Sequence, residues 1–216
     1  MPSKMIKTKV LPEKYYHIFN QAINNEFLFR EDDDYQFFLL KIKELIIDYF
    51  ELYAYCLLPN HFHILLKPLW EVNSIHDSSV NEKLRKLFQL YAQYYNKKYK
   101  RKGSLYLKPF RRIEIDTEAY LTYLVFYIHY NPQKHGIIGD YRAYDRSSYK
   151  FFICDQETKL QRDVVLKWFG DNPEDFVRFH QECLERKIGD GTPSLGMPSQ
   201  GMASPFFLPL PKFQPL

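Results

Sequence analysis

Two histidines separated by a single residue, His61 and His63, lie in the apolar run His61-Phe62-His63-Ile64-Leu65-Leu66-Lys67-Pro68. Read as a strand, the run puts both imidazoles on one face and Phe62 on the other, because strand side chains alternate. Imidazoles two residues apart sit roughly 6–7 Å apart along a strand. That is near enough to share one metal ion, although a packed core can hold the same pair. Further along, Tyr127 and Asn131 are four residues apart in a helical pattern, hence on one face. A tyrosine on an apolar helix is ordinarily core. With its oxygen correctly placed it can also act as a nucleophile that forms a covalent intermediate.

Charge is the third feature that could do chemistry. Residues 82–112 contain Lys83, Arg85, Lys86, Lys97, Lys98, Lys100, Arg101, Lys102, Lys108, Arg111 and Arg112 against one acid, Glu82. The stretch is net +10 in a chain of +4, so the remainder is net −6. Tyr91, Tyr94, Tyr95, Tyr99 and Tyr106 are interleaved with it. Basic groups bind phosphates by releasing counterions, and aromatic rings stack on unpaired bases. The stretch therefore predicts a nucleic-acid partner; the plain alternative is a solvated helix followed by a basic loop.

The elements that must position these groups can be read from periodicity and punctuation. Residues 15–20 alternate as a strand, with Tyr16 and Ile18 on one face and His17 and Phe19 on the other. The acid run Glu31-Asp32-Asp33-Asp34 suits the start of a helix, where it opposes the positive end of the dipole. That helix is expected over 34–50, with Phe38, Ile42, Leu45 and Tyr49 at helical spacing. Strands are expected over 51–58 and 61–68, joined by a turn at Pro59-Asn60, then a helix over 80–97 and a strand over 105–115. A last helix, capped by Asp116 or Thr117, should run to about 130 and stop at Pro132. His129 sits about 200° around that helix from Tyr127, so it reads as packing rather than as a ligand. Trp70 and Trp168 read as core, and His17 and His76 as surface or strand positions.

The 216 residues suit one domain with an appendage. With 45% hydrophobic and 26% charged residues, the composition is globular rather than disordered or fibrous. Apolar runs such as 45–47 are too short for a bilayer and no leader pattern is visible, so a soluble cytoplasmic protein without a membrane partner is expected. Cys56, Cys154 and Cys183 have no paired spacing, which argues against a disulfide framework or a four-cysteine zinc site. The expected divisions are 1–154 for the domain that carries the chemistry, 155–188 for a helical extension, and 189–216 for an extended tail. The tail holds six of the 13 prolines and four of the eight glycines, and its Phe206, Phe207, Leu208 and Phe213 are its only candidates for docking.

Taken together and in order, these motifs resemble a known family. Pro59-Asn60-His61-Phe62-His63-Ile64-Leu65-Leu66 is similar to the P-N-H-x-H run of single-tyrosine HUH transposases, and Tyr127-Ile128-His129-Tyr130-Asn131-Pro132 to their Y-I-H-x-N-P run. Tyr16-His17-Ile18-Phe19-Asn20, Phe29-Arg30 with Asp34-Tyr35, Tyr95-Asn96-Lys97-Lys98, Gly103-Ser104-Leu105-Tyr106, Pro109-Phe110 and Tyr144 to Tyr149 complete the pattern. Each piece is modest alone, but their joint order over residues 10–150 is specific. The resemblance is closest to the REP-associated tyrosine transposase group.

The resemblance implies an α+β fold: a ferredoxin-like sandwich with a central antiparallel sheet and helices packed on it. It implies His61 and His63 as metal ligands, Tyr127 as the nucleophile, and Asn131 as third ligand where insertion-sequence relatives often carry Gln. Mixed nitrogen and oxygen ligation suits Mn²⁺, and Mg²⁺ fits by abundance. The activity implied is cleavage and rejoining of single-stranded or hairpin DNA through a 5′-phosphotyrosine link. Lys97, Lys98, Lys100, Arg101, Lys102, Lys108, Arg111 and Arg112 would be its DNA-binding residues. Insertion-sequence relatives form dimers with shared sites and the closer group can act as monomers, so a homodimer is admitted. Two other readings stand beside this one. The first is a domesticated protein that binds single-stranded or hairpin nucleic acid without cutting. The more remote is a small-molecule metalloenzyme built on the histidine pair, which would want a carboxylate as third ligand.

Overall fold

Alternation along each strand sets the two faces of one sheet. In a computed structural model, which describes residues 10–69 and 77–189, β1 (Tyr15–Gln21), β2 (Phe50–Leu58), β3 (His61–Pro68) and β4 (Arg111–Ile115) pair antiparallel in the order β2-β3-β1-β4. The expectations for Trp70, His76 and the tail beyond Gly189 concern residues outside that range. Between the strands lie α1 (Asp32–Leu45) and α2 (Asp77–Lys98), giving the β-α-β-β-α-β order of a ferredoxin-like sandwich. After β4 come α3 (Glu118–Lys134), α4 (Arg162–Lys167) and α5 (Pro173–Gly189). No helix of the described residues is long and apolar enough to cross a membrane.

Phe62 marks the face covered by α1 and α2. Its ring lies 5.2 Å from that of Phe38 on α1 and 5.2 Å from that of Phe88 on α2. Full burial of such a ring is worth about 1.5–3 kcal/mol. The turn Pro59-Asn60 between β2 and β3 fixes the register, and Leu58 faces His61 directly. Because the side-chain period is two, that register turns His61 and His63 away from Phe62 and toward α3. Facing His63 across the sheet are Phe19 on β1 and Cys56 on β2, and Phe19 in turn faces Arg111 on β4.

The acid run caps α1 as expected, and it does more. Asp34, fully buried, accepts from the backbone N–H groups of Arg30 at 2.8 Å and Glu31 at 3.1 Å. The same carboxylate meets Lys98 Nζ at 2.9 Å and Tyr99 Oη at 2.7 Å. Burial works against its charge, but the Lys98 and Tyr99 bonds and the two amides outweigh it, and the carboxyl is held below its ordinary value. Breaking one side of such a pair costs about 3–5 kcal/mol. One acidic residue thus ties the start of α1 to the end of α2.

Three elements differ from the sequence reading. First, α1 ends at Leu45 rather than near 50; the chain turns at 46–49 and Phe50 opens β2. The β-branched Ile46 and Ile47 favour leaving the helix at that point. Second, β4 begins only at Arg111. The segment before it, from Leu105 to Lys108, lies along the end of β1, with Ile23 N–H on Leu105 O at 2.9 Å and Leu107 N–H on Gln21 O at 3.1 Å. Third, α3 does not stop before Pro132 but continues to Lys134. Proline removes one ladder donor. The carbonyl left without its ladder N–H is that of Ile128. Beyond it the helix end is closed by His135 N–H on the Asn131 carbonyl at 3.0 Å and Ile137 N–H on the Pro132 carbonyl at 2.8 Å, while Asn131 Nδ2 donates to the Tyr127 carbonyl at 2.6 Å. The N-cap is Thr117, whose hydroxyl accepts from Tyr120 N–H at 3.2 Å.

His129 anchors the layer behind α3. His180 Nδ1 faces the Phe176 carbonyl at 2.8 Å and must donate to it. Its Nε2 therefore accepts from His129 Nδ1 at 3.1 Å. His129 Nε2 is left to accept from the Ser148 hydroxyl at 2.8 Å, and Ser148 Oγ accepts from Tyr55 N–H at 2.9 Å. This chain joins α5, α3 and β2 with every polar atom used. Around it pack Tyr149, Phe152 and Phe176. Trp168, half-buried, stacks on Tyr53 with centroids 5.2 Å apart.

Candidate active site

The end of the sheet where β1 finishes and β3 and β4 begin gathers the chemically capable side chains. His61 and His63 are both buried, with ring centroids 5.2 Å apart and planes nearly perpendicular. Asn60 Oδ1 lies 2.7 Å from His61 Nδ1, so that nitrogen carries the proton and Nε2 is left as a bare lone pair. Among the described residues His61 Nε2 and His63 Nε2 have no hydrogen-bond partner, and neither has the oxygen of Asn131, whose side chain is also buried. Buried polar atoms are normally satisfied. Three orphans contributed by the histidine pair and by the amide one turn beyond Tyr127 are the donor set a divalent cation would use. No cluster of three or more His, Cys, Asp or Glu side chains fit to hold a metal occurs among the described residues, so a cation here would need the amide.

Tyr127 comes to the same place. Its ring stands edge-on to His63 with centroids 5.7 Å apart. Burial raises its phenol above the ordinary value, as does Tyr123, while Asn131 and Lys187 pull it back. Lys134 Nζ lies 3.3 Å from the phenol oxygen and 4.7 Å from the ring centroid. Partial burial lowers the Lys134 ammonium below its usual range. His135 packs against His61 with centroids 5.0 Å apart, and burial takes it down to about 4, with Lys134 adding to the shift. Both residues ride on the turn that follows Pro132. A helix ending near 130 hides them from the sequence; the lysine's spacing, seven from Tyr127 and so on the same face, is the signal that a longer helix would reveal.

The imidazoles are neutral near pH 7. Burial takes His61 down to about 3, with smaller pushes from His135 and Lys134. His63 is lowered well below its ordinary value by burial, then by His17, His61, His135 and Lys134. Neutral rings present lone pairs, which is the form that coordinates metal. Of the two readings for His17 the strand position holds: it lies buried on β1, with its Nε2 2.9 Å from His63 Nδ1. On the same face Lys67 pairs with Glu51 at 3.6 Å and lies over Tyr15.

The basic stretch divides into exposed and committed members. Lys97, Lys100, Lys102 and Lys108 are exposed. Arg111 lies half-buried over the Phe19 ring at 5.8 Å, on the sheet face of His63. Lys98 is tied to Asp34 at 2.9 Å and to Glu31 at 3.1 Å. Arg101 binds Glu26 through Nε at 2.6 Å and NH2 at 3.0 Å. Arg112 is buried, with NH1 on Asn81 Oδ1 at 2.6 Å. The tyrosines divide too, and most of them correct the expectation of free stacking surfaces. Tyr91 and Tyr95 are core, Tyr94 is stacked on Phe37 at 3.9 Å, and Tyr99 is bonded to Asp34. The reason is the helical period: residues 84, 87, 88, 91 and 95 form the inner stripe of α2.

No protein-family model matches the chain, and no curated protein matches it. Among solved structures the fold is similar to that of a REP-associated tyrosine transposase bound to a REP hairpin. The TM-score is 0.56 at 19% identity, over 70% of this chain and 85% of that one. Identity at that level speaks for shared architecture: an α+β sandwich of helices on a four-stranded antiparallel sheet.

Proposed function

We propose that the chain is a divalent-metal-dependent DNA strand transferase that cuts and rejoins single-stranded or hairpin DNA through Tyr127. The observation that carries this reading is the trio of partnerless buried atoms, His61 Nε2, His63 Nε2 and Asn131 Oδ1, beside the edge-on ring of Tyr127. His61, His63 and Asn131 would hold Mn²⁺ or Mg²⁺. When bound, the ion would polarise the scissile phosphate and offset charge that builds there. The phenol gives its proton to solvent as its oxygen attacks phosphorus, the bond to the 3′ oxygen breaks, and that oxygen takes a proton from solvent and leaves as a 3′-hydroxyl. The product is a 5′-phosphotyrosine link, and because it keeps the ester, rejoining is the same reaction reversed. Lys134 donates to the Tyr127 oxygen at 3.3 Å, which holds the ring and favours charge on that oxygen. The hairpin bound by the fold neighbour supports DNA as the substrate.

The test is direct. Full-length protein incubated with labelled hairpin single-stranded DNA and Mn²⁺ should yield an adduct that survives denaturation and disappears with EDTA. Tight binding without any adduct would reassign the chain to the non-cutting binder.

The division of the basic stretch gives a second expectation. Each exposed cation that meets a phosphate contributes about 0.7 to the slope of log affinity against log salt on a single strand. Lys102→Ala and Lys108→Ala are each expected to reduce the slope by about that amount. Lys98→Ala and Arg112→Ala should leave it unchanged, since their charges are engaged within the protein. Filter binding from low to moderate salt separates the two groups; equal slope changes for all four would reject the division.

A further inference from the structure

The metal-donor histidine His63 has a partner with no role in the reading above. On neighbouring strands, His17 sits diagonal to His63, one pair removed from the directly facing Phe19. Long side chains reach across such diagonals. The two rings are stacked with centroids 5.0 Å apart, and His17 Nε2 meets His63 Nδ1 at 2.9 Å. Phe19 closes the arrangement, its centroid 4.8 Å from His17 and 5.9 Å from His63. Both histidines are buried, and imidazoles taken out of water with no carboxylate beside them are held neutral.

A neutral imidazole pair joined by one hydrogen bond has two arrangements. In one, His63 Nδ1–H donates to His17 Nε2 and His63 Nε2 is bare; the His17 proton then sits on its Nδ1, which meets no partner among the described residues. In the other, His17 donates and His63 Nε2 carries a proton that blocks it as a donor atom. His61 faces no such choice, because Asn60 fixes it. We propose that His17 is the positioning residue for His63: it accepts the Nδ1 proton, orients the ring, and keeps Nε2 of His63 bare beside Nε2 of His61. Metal-bound histidines generally give their second N–H to a carboxylate, a carbonyl or water. A histidine in that place accepts the proton without adding negative charge. A cation held by His61, His63 and Asn131 would then keep its full double charge toward a phosphate, where a carboxylate partner would offset part of it. This assignment deepens the strand-transferase reading and rests on it only where metal is concerned.

Two substitutions isolate the role. His17→Gln keeps an acceptor at nearly the same reach, and His17→Phe keeps the ring and its stacking but accepts nothing. Imidazole ¹⁵N spectra of the metal-free full chain, labelled at histidine, read the tautomer directly. Wild type and His17→Gln should hold His63 as Nδ1–H with a bare Nε2, and His17→Phe should lose that single form. Calorimetric titration with Mn²⁺ is expected to give similar affinity for wild type and His17→Gln. His17→Phe should bind roughly 10–100-fold more weakly. A wild-type His63 protonated at Nε2, or a folded His17→Phe with unchanged tautomer and Mn²⁺ affinity, overturns the proposal. Wild type that takes up no Mn²⁺ would sink the metal reading, while the spectra would still decide the part played by His17.

Discussion

Replacement of Tyr127 by Phe should abolish the denaturation-resistant DNA adduct while barely touching DNA binding. The variant removes one oxygen and leaves the ring that packs edge-on to His63. Without the oxygen there is no atom to bond phosphorus, so adduct yield should fall below detection rather than decline in proportion. The other loss is the hydrogen bond from Lys134. A single such bond is worth about 0.5–1.5 kcal/mol, and this one is at the surface end of the site, so DNA affinity should stay within about threefold of wild type. Gel analysis after denaturation reads the first quantity and equilibrium binding the second. An adduct at wild-type yield in the variant would place the bond on another oxygen, and Tyr120 and Tyr123 on the same helix would be the first to examine.

Acid should unfold the metal-free protein at an unusually high pH. Among the described residues five histidines are buried: His17, His61, His63, His129 and His180. Burial takes His17, His61 and His180 down to about 3 and lowers His63 and His129 well below the ordinary value. A basic group whose folded value is depressed binds its proton more readily in the unfolded chain. Stability is therefore intact above about 6.5, the unfolded value, and is lost as pH falls from there toward about 3. Each independent histidine removes about 1.4 kcal/mol per pH unit in that window. His17 with His63 and His129 with His180 share hydrogen bonds, so the five act as between three and five groups. The fall is then about 4–7 kcal/mol per unit, against a total stability of about 5–15 kcal/mol for a typical domain. Urea midpoints in EDTA should be flat from pH 8 to 7 and drop steeply below 6.5, with unfolding without denaturant near pH 5. A midpoint that holds steady to pH 4.5 would contradict the neutral, buried state of these rings.

Much of the fold was legible because its strands alternate cleanly. His61-Phe62-His63 declares its two faces by residue type alone, and the sheet seats it so. The Pro59-Asn60 turn and the acid run before α1 announce themselves by local chemistry. What stayed hidden depends on contacts distant in sequence. Lys98 looks like a DNA contact until Asp34, far away in the chain, is found against it, and Arg101 with Glu26 is the same case. A charge count sees one side of each pair. His17 could not be linked to His63 without the register of β1 on β3. The turn past Pro132 was obscured for a different reason. Proline is rightly read as a stop, and here the chain keeps its helical course past it, closed by His135 N–H on the Asn131 carbonyl, and brings Lys134 to Tyr127.

Tyr127 and the imidazole of His63 that it abuts belong to one polypeptide. A site assembled within one chain predicts an adduct yield per protein that does not change on dilution. A yield that falls as the protein is diluted would mean that a second copy completes the site.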